Sequence, residues 1–275
     1  VNQLPLTPNN WSEGLHQACR HLRMNWPAHW EGLPRILTLC QQSLRLEQTT
    51  DDDTIVLNQF AQWVAHDIEQ QFAGNTRPTE PAYHNRLHTA DVLIVLTTML
   101  HILHATHAAH EDNTWSSALL AAAVAHDYKH PGGVNQFAFQ IERASWQGVQ
   151  HIAQTLPSIW RQRIESWILG TDAQSVHLNH QRIADQVFAW EAPWAQVLLN
   201  EADIYVSATS EFGPGLSDAL AREWQCAEFA GHTRVATNAG RADFLHNAHF
   251  SSPTAKALGI QAQVEQQLTS LKQQD

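Results

Sequence analysis

The chain has 275 residues, 43% hydrophobic and 16% charged, with a formal net charge of −11. That length buries a substantial core, as one large domain or two small ones. The acidic balance, with no basic block, excludes a surface built to track the phosphates of a nucleic-acid polymer. Three cysteines, Cys19, Cys40 and Cys226, lie far apart with no Cys-x-x-Cys pair, which excludes a disulfide framework and a thiolate zinc site.

The opening stretch "VNQLPLTPNNWSEG" lacks the basic and apolar regions of a secretory signal. The longest apolar run, "WSSALLAAAVA" (115–125), is too short to span a bilayer. A soluble, cytoplasmic protein that binds no membrane is therefore expected. Residues 1–50 are expected to form short helices broken by Pro5, Pro8, Pro27 and Pro34, a helical cap on the unit that follows from 51 to 275. "TTDDDTIVLNQFAQWVAHDIEQQF" has acidic residues at its start and apolar residues at helical spacing, so it reads as a capped helix. Residues 73–82 form a loop, "DVLIVLTTMLHIL" a buried helix, and "WSSALLAAAVAHD" an Ala-rich helix of high propensity. Helical patterns continue over 136–156, 158–170, 179–190 and 193–210. "EFGPG" breaks the pattern, a helix over about 216–230 follows, and 253–273 reads as a polar surface helix. No segment alternates at strand spacing, so the fold class is all-α. His101, His104, His107 and His110, spaced by threes, mark one side of a helix.

"YHNRLHTADV" (83–92) places His84 and His88 four apart, so on a helix both imidazoles would face the same way. A second block, "AAAVAHDYKHPGGVNQF" (121–137), ends an apolar helix in His126-Asp127, followed by His130. Imidazole and carboxylate side by side at a helix end can turn to one cation. Pro131, Gly132 and Gly133 then stop the helix. His88, His126 and Asp127 supply three ligands. The fourth is expected from Asp203 in "LLNEADIYVSATS", where a lone carboxylate on an apolar stretch is costly unless coordinated; Glu201 competes for the place.

"HDYKHPGGVNQF" (126–137) resembles the signature of the class I cyclic-nucleotide phosphodiesterases at every specified position. "YHNRLHTADV" is similar to the same family's upstream Tyr-His-Asn-x-x-His-x-x-Asp-Val element. "ILGTDAQSVH" (168–177), "EADIYVSAT" (201–209) and "REW" (222–224) resemble its Thr-Asp, Ala-Asp-Leu-Ser and Arg-x-Trp elements. The resemblance implies a compact multi-helix catalytic domain of the HD superfamily with a dinuclear metal site. It implies that His88, His126, Asp127 and Asp203 hold one metal, Zn²⁺. Asp127 would bridge to a second, Mg²⁺ or Mn²⁺, ligated mostly by water. A hydroxide bridging the metals would attack phosphorus, and His84 would be the general acid rather than a ligand. Asn85, His130 and His151 would orient the ligands. Tyr83 and Asp172 would border the substrate pocket, with Asp172 also suited to capping a helix.

Three departures concern the substrate. The family's purine-reading glutamine falls on Arg241 in "RADF", with Phe244 as a possible base clamp. An asparagine used by some subgroups falls on Val206. The glutamate that braces the general acid falls on Gly148, with Glu142 as its nearest substitute. The substrate expected is a 3′,5′-cyclic nucleotide, with another small phosphodiester or phosphorylated metabolite as the alternative. A di-iron oxygenase, drawing on His151, His177 and His180, is the more remote alternative, and with it iron as the metal. No nucleic-acid polymer is expected as partner, and self-association is left open.

Overall fold

In the computed structural model, which describes residues 10–72, 80–106 and 113–273, every regular element is a helix. Asp51 accepts from the Thr54 N–H at 2.8 Å, and with Asp52 and Asp53 in its first turn starts α3 after α1 (Trp11–Asn25) and α2 (Leu33–Ser43). Asn85 does the same for α4 (Arg86–Thr106), accepting from the His88 N–H at 3.0 Å. With α3 (Asp52–Phe72), α5 (Asn113–Ala125) and α9 (Ala192–Ala208), α4 forms the centre of the molecule. Nearly every side chain of α4 beyond Leu87 and all of α5 beyond Thr114 are buried. That is why neither shows a clean apolar stripe: a helix covered on all sides is hydrophobic all round. α4 is long and apolar enough to cross a membrane, but it is packed inside the other helices, as the core helix of a folded domain is.

Around this centre lie α6 (Gln140–Ala153), α7 (Ser158–Leu169), α8 (Ala173–Arg182), α10 (Gly213–Cys226), α11 (His232–Val235), α12 (Asn238–Asn247), α13 (Pro253–Leu258) and α14 (Ile260–Lys272). Several expected boundaries move, each for a local reason. α8 starts at Asp172, whose carboxylate accepts from the Gln174 N–H at 3.0 Å, and ends at Arg182. The stretch expected as helix over 179–190 instead turns through Asp185 at φ 63°. Its apolar Ile183 and Phe188 pack with Trp194 and Val197 as a small separate cluster. Pro214 does not break a helix but begins α10, where its missing N–H costs nothing. Gly259, left-handed at φ 68°, divides the tail into α13 and α14.

The first helices share the main core: Leu15, Cys19, Leu33 and Leu37 belong to the same buried cluster as Leu93, Leu119 and Leu198. The Arg23 guanidinium also grips the buried Asp91 carboxylate of α4 with two bonds of 2.8 and 2.7 Å. Asp91, expected near the start of its helix, thus ties α1 to α4. Of the spaced histidines, His101 stacks on Trp11 at 5.6 Å and contacts Ser43 Oγ at 2.7 Å, and His104 contacts Ser116 at 3.2 Å. His107 and His110 lie outside the described residues.

Removing one partner of the Arg23–Asp91 pair leaves a charge buried. Arg23→Ala is expected to lower stability by about 3 kcal/mol in denaturant unfolding, while Arg23→Met with Asp91→Leu recovers part of that loss. His101 gives a pH dependence. Burial, with the nearby His104, pushes its pKa down to about 4 from 6.5. As pH falls below 6.5 the unfolded chain takes a proton that the folded state refuses, so stability declines toward pH 4. His101→Gln is expected to lose less stability than the wild type between pH 7 and about 4.5, read as denaturant midpoints across that range.

Candidate active site and metal centre

The site forms where α4, α5 and α9 meet. Asn85 caps α4, and its amide nitrogen holds the preceding bend by donating to the Pro81 and Ala82 carbonyls at 3.2 and 3.0 Å. His88, in the first turn, is thereby pointed inward. α5 stops at Ala125, and His126 and Asp127 follow in the turn. Asp203 comes from the middle of α9. His88 Nε2 lies 3.0 Å from Asp203 Oδ1 and 3.3 Å from Asp127 Oδ2. His126 Nε2 lies 3.1 Å from Asp127 Oδ2 and 3.5 Å from Asp203 Oδ1.

These donors suit a metal ion. The His126 Nδ1 contacts the Ala123 carbonyl at 2.7 Å, so it carries the proton and leaves Nε2 a bare lone pair facing the cluster. His88 Nε2, His126 Nε2 and Asp127 Oδ2 are buried with no hydrogen-bond partner. Each of these nitrogens lies 3.0–3.5 Å from oxygens of both Asp127 and Asp203, an arrangement that suits the ligands of one cation. Two carboxylates with two neutral imidazoles carry two negative charges into a dry interior, which a divalent cation offsets. The same crowding appears as proton affinity. Burial opposes a charged His88, yet Asp127 and Asp203 outweigh it and push its pKa up to about 9; His126 is raised likewise. Despite burial, the imidazoles hold Asp127 and Asp203 below the usual carboxylate range. Metal binding displaces such protons.

His84 stands beside this cluster but not on the helix. α4 begins at Arg86, and His84 lies in the bend before it, its ring centre 5.8 Å from that of His88. Glu223, from α10, fixes it. Glu223 Oε1 contacts His84 Nδ1 at 2.5 Å, and Oε2 accepts from the Tyr83 and His84 N–H groups at 2.7 and 2.9 Å. Burial works against it, but these partners hold the Glu223 carboxyl below its ordinary range. His130 stacks on His84 at 3.7 Å, its Nδ1 accepting from the Gly132 N–H. Burial and His84 push its pKa down to about 3, so it stays neutral. His84, His130 and Glu223 also bring donor atoms within 4.8 Å of one another. Both Glu223 oxygens are already engaged, so this trio is an acid–base pair with a stacked neighbour rather than a second cation cage. Gly132, at φ 77°, lets the loop pass; a Cβ there would lie 3.1 Å from Glu223 Cγ.

A cleft of about 380 Å³ opens over the cluster. His84, Asp127 and Asp203 face it, Ile141, Ile204, Leu220 and Trp224 give it an apolar side, and Asn135, Glu142, Thr171, Asp172 and Gln174 a polar one.

Residues 83–151 match the family model described as 3′5′-cyclic nucleotide phosphodiesterase. The phosphodiesterase domain of the RhoPDE fusion protein from the choanoflagellate Salpingoeca rosetta shares the fold, with a TM-score of 0.62 at 14% identity over 99% of this chain and 93% of that one. No curated protein sequence gives a significant match.

Residues 83–151 thus carry the phosphodiesterase family's motif region, and the chain shares the phosphodiesterase fold.

Within this phosphodiesterase-like fold the expected residues divide. His84, His88, His126, Asp127, Asp203, Asn85 and His130 are brought together, and Tyr83 and Asp172 border the cleft. Tyr83 bonds Ser207 Oγ at 2.8 Å, while Asp172 accepts from the Phe139 N–H at 2.8 Å as well as capping α8. Glu201, the alternative ligand, is instead buried against the Ser251 and Ser252 N–H groups at 2.6 and 2.8 Å.

Four expected positions lie elsewhere. His151 is exposed at the end of α6 and orients no ligand. Val206 is buried in the core. The Arg241 guanidinium turns to the end of α9, bonding the Ser207 carbonyl, and the Thr209 carbonyl at 2.9 Å, and lines a different cavity. Phe244 lies under that guanidinium, 5.5 Å from it. Nor is Gly148 the place of the brace: it touches the Tyr128 ring, and a Cβ would sit 2.5 Å from ring carbons. Glu142 bonds Asn135. The bracing glutamate is Glu223, inside "REW", which sequence reading treated only as Arg-x-Trp. Its burial amid a polar helix has no local signal; only the packing of α10 on the bend shows it.

Loading the chelated protein with divalent metal is expected to raise its melting temperature. Asp127→Ala and His126→Ala should lose bound metal by elemental analysis; metal content equal to wild type in both variants would disprove the ligand set.

Proposed function

We propose that this domain is a metal-dependent phosphodiesterase whose substrate is a 3′,5′-cyclic nucleotide. The observation that carries the reading is the joint arrangement: His88, His126 and Asp203 with donor atoms within 4.8 Å of one another, Asp127 against both imidazoles, and a carboxylate-braced histidine beside them at one cleft. The nitrogen-bearing set of His88, His126, Asp127 and Asp203 suits Zn²⁺, and a second, harder ion, Mg²⁺ or Mn²⁺, would share Asp127 and keep its waters. Bound there, the metals supply Lewis acidity toward the phosphoryl oxygens and toward water.

The chain's own residues do the rest. Glu223 engages Nδ1 of His84, which leaves Nε2 as the nitrogen free to give a proton to the leaving alkoxide oxygen. The carboxylate also orients the imidazole for that transfer. His130, neutral and stacked flat on the ring, fixes its plane without adding a competing charge. The apolar side of the cleft, Ile204, Leu220 and Trp224, offers a surface to a flat base, and Asn135, Thr171 and Gln174 supply amide and hydroxyl groups opposite.

A second reading, hydrolysis of another small phosphodiester, is favoured by one observation. Neither Arg241 nor Val206 reaches the cleft, so the positions that would read the base are turned away. A site without fixed partners for the base discriminates poorly between bases.

The metal-loaded protein is to be assayed on cyclic AMP, cyclic GMP and bis(p-nitrophenyl) phosphate. Turnover of a cyclic nucleotide is expected. His84→Ala should retain its metals and lose a factor of about 10²–10⁴ in kcat on the cyclic substrate, with Glu223→Gln losing less. Both should lose little on the nitrophenyl diester, whose leaving group needs no proton. Turnover of the nitrophenyl diester alone would select the second reading. A His84→Ala protein fully active on a cyclic nucleotide would refute the acid.

A further inference from the structure

Three imidazoles outside the cleft gather where α8 faces the segment leading into α13. His177 and His180 are three residues apart, on one side of α8. The ring of His249 lies 5.2 Å from that of His177 and 5.5 Å from that of His180, close to the 5.6 Å between His88 and His126. His180 is only 8% exposed. Its Nδ1 contacts Ser251 Oγ at 2.5 Å, while its Nε2 is buried with no partner. Donation from Nδ1 to the serine oxygen leaves Nε2 as an unprotonated lone pair, the tautomer that binds metals, with the hydrogen bond orienting the ring. The serine is held in turn: its N–H donates to Glu201 at 2.6 Å. Burial and the neighbouring imidazoles push His180 down to about 4 and lower His249 as well, so both stay neutral at pH 7.

We propose that His177, His180 and His249 form a second metal site, separate from the cleft, taking one borderline transition ion such as Zn²⁺ through imidazole nitrogen alone. Nitrogen ligands with no carboxylate select Zn²⁺, Cu²⁺ or Ni²⁺ over Mg²⁺ or Ca²⁺. The site is open at one corner. His177 is exposed and its Nε2 lies 2.6 Å from the Gln181 amide nitrogen. The ion takes His177 by exchanging that contact, and closes a trio looser than His88, His126 and Asp203, whose donor atoms lie within 4.8 Å of one another. An ion held here clamps α8 to the segment before α13. Ala173 and Gln174 of the first turn of α8 line the cleft, so the clamp holds one wall of that cleft about one helical turn from the metal.

The test uses the whole protein, stripped with chelator and titrated with Zn²⁺, followed by calorimetry and elemental analysis. Wild type is expected to bind one equivalent more than the His177→Gln/His249→Gln double variant, and Mg²⁺ is expected not to replace it. Cu²⁺ bound to the whole protein should show a nitrogen-coupled electron paramagnetic resonance component, additional to that of the cleft imidazoles, that the same double substitution removes. Both substituted histidines lie outside the core, so the result does not depend on whether a His180 variant folds. Equal Zn²⁺ stoichiometry and affinity in wild type and double variant would overturn the site, and the cleft's own metals, present in both, do not enter the difference.

Discussion

The structure is organised around charge buried at the junction of three apolar helices. α4, α5 and α9 are almost wholly covered, and each delivers to their meeting point a group that such an interior rejects when unpaired. Two carboxylates brought there are tolerable only with compensating positive charge. Protons on His88 and His126 supply it in one state, in line with their raised proton affinity, and a divalent cation would supply it in the other. Both states pull the same three helices together. The site therefore bears on the fold as much as the fold positions the site: the packing that excludes water from α4 and α5 also makes the ligands' alternatives to one another scarce.

The second dependence is longer in sequence. Glu223 reaches His84 across 139 positions and satisfies three hydrogen-bonding groups with its two oxygens. Two of these are backbone amides in the irregular bend before α4, which no helix ladder serves. The same carboxylate that engages the imidazole therefore fixes the bend that carries it. His84 is held by its backbone and its ring together, which limits both the direction and the tautomer of its free nitrogen. Removing the charge of Glu223 while keeping its shape separates these two duties.

Much of this was legible in the sequence where one short segment carries both cause and consequence. Asn85 caps the helix that holds His88 three residues on, and His126-Asp127 end a run so apolar that their position at its mouth follows. Asp203 announced itself as a carboxylate on an apolar helix. Periodicity gave the all-helical class and most elements, but it misplaced α8, because a cap at Asp172 and a left-handed Asp185 outweigh apolar spacing. What escaped depends on contacts between distant segments. Glu223 looks like any polar residue of an exposed helix until α10 is packed. Arg241 looks like a pocket residue by alignment to a short motif, but the carbonyls at the end of α9 capture it. Gly148 looked like a lost brace and is a point of close contact with Tyr128. His249 carried no motif; only the fold brings it to His177 and His180.

The charge pattern of the cleft also bears on the substrate proposed for it. Its lining includes Asp127, Glu142, Asp172 and Asp203 and, among the described residues, no lysine or arginine, in a chain whose formal charge is −11. Asp172 is engaged with two N–H groups, and burial raises the Glu142 pKa, yet the site still offers an anion no fixed cationic side chain. Attraction would have to come from ions held by the His and Asp donors. Such a site favours a phosphodiester, with one negative charge, over a phosphomonoester, whose second ionisation lies near pH 6 and adds a further charge at neutral pH. Hydrolysis of a diester would create that extra charge once the added hydroxyl ionises. The product would then face the acidic wall with more negative charge than the substrate, so the electrostatics that admit the substrate would favour release of what it becomes.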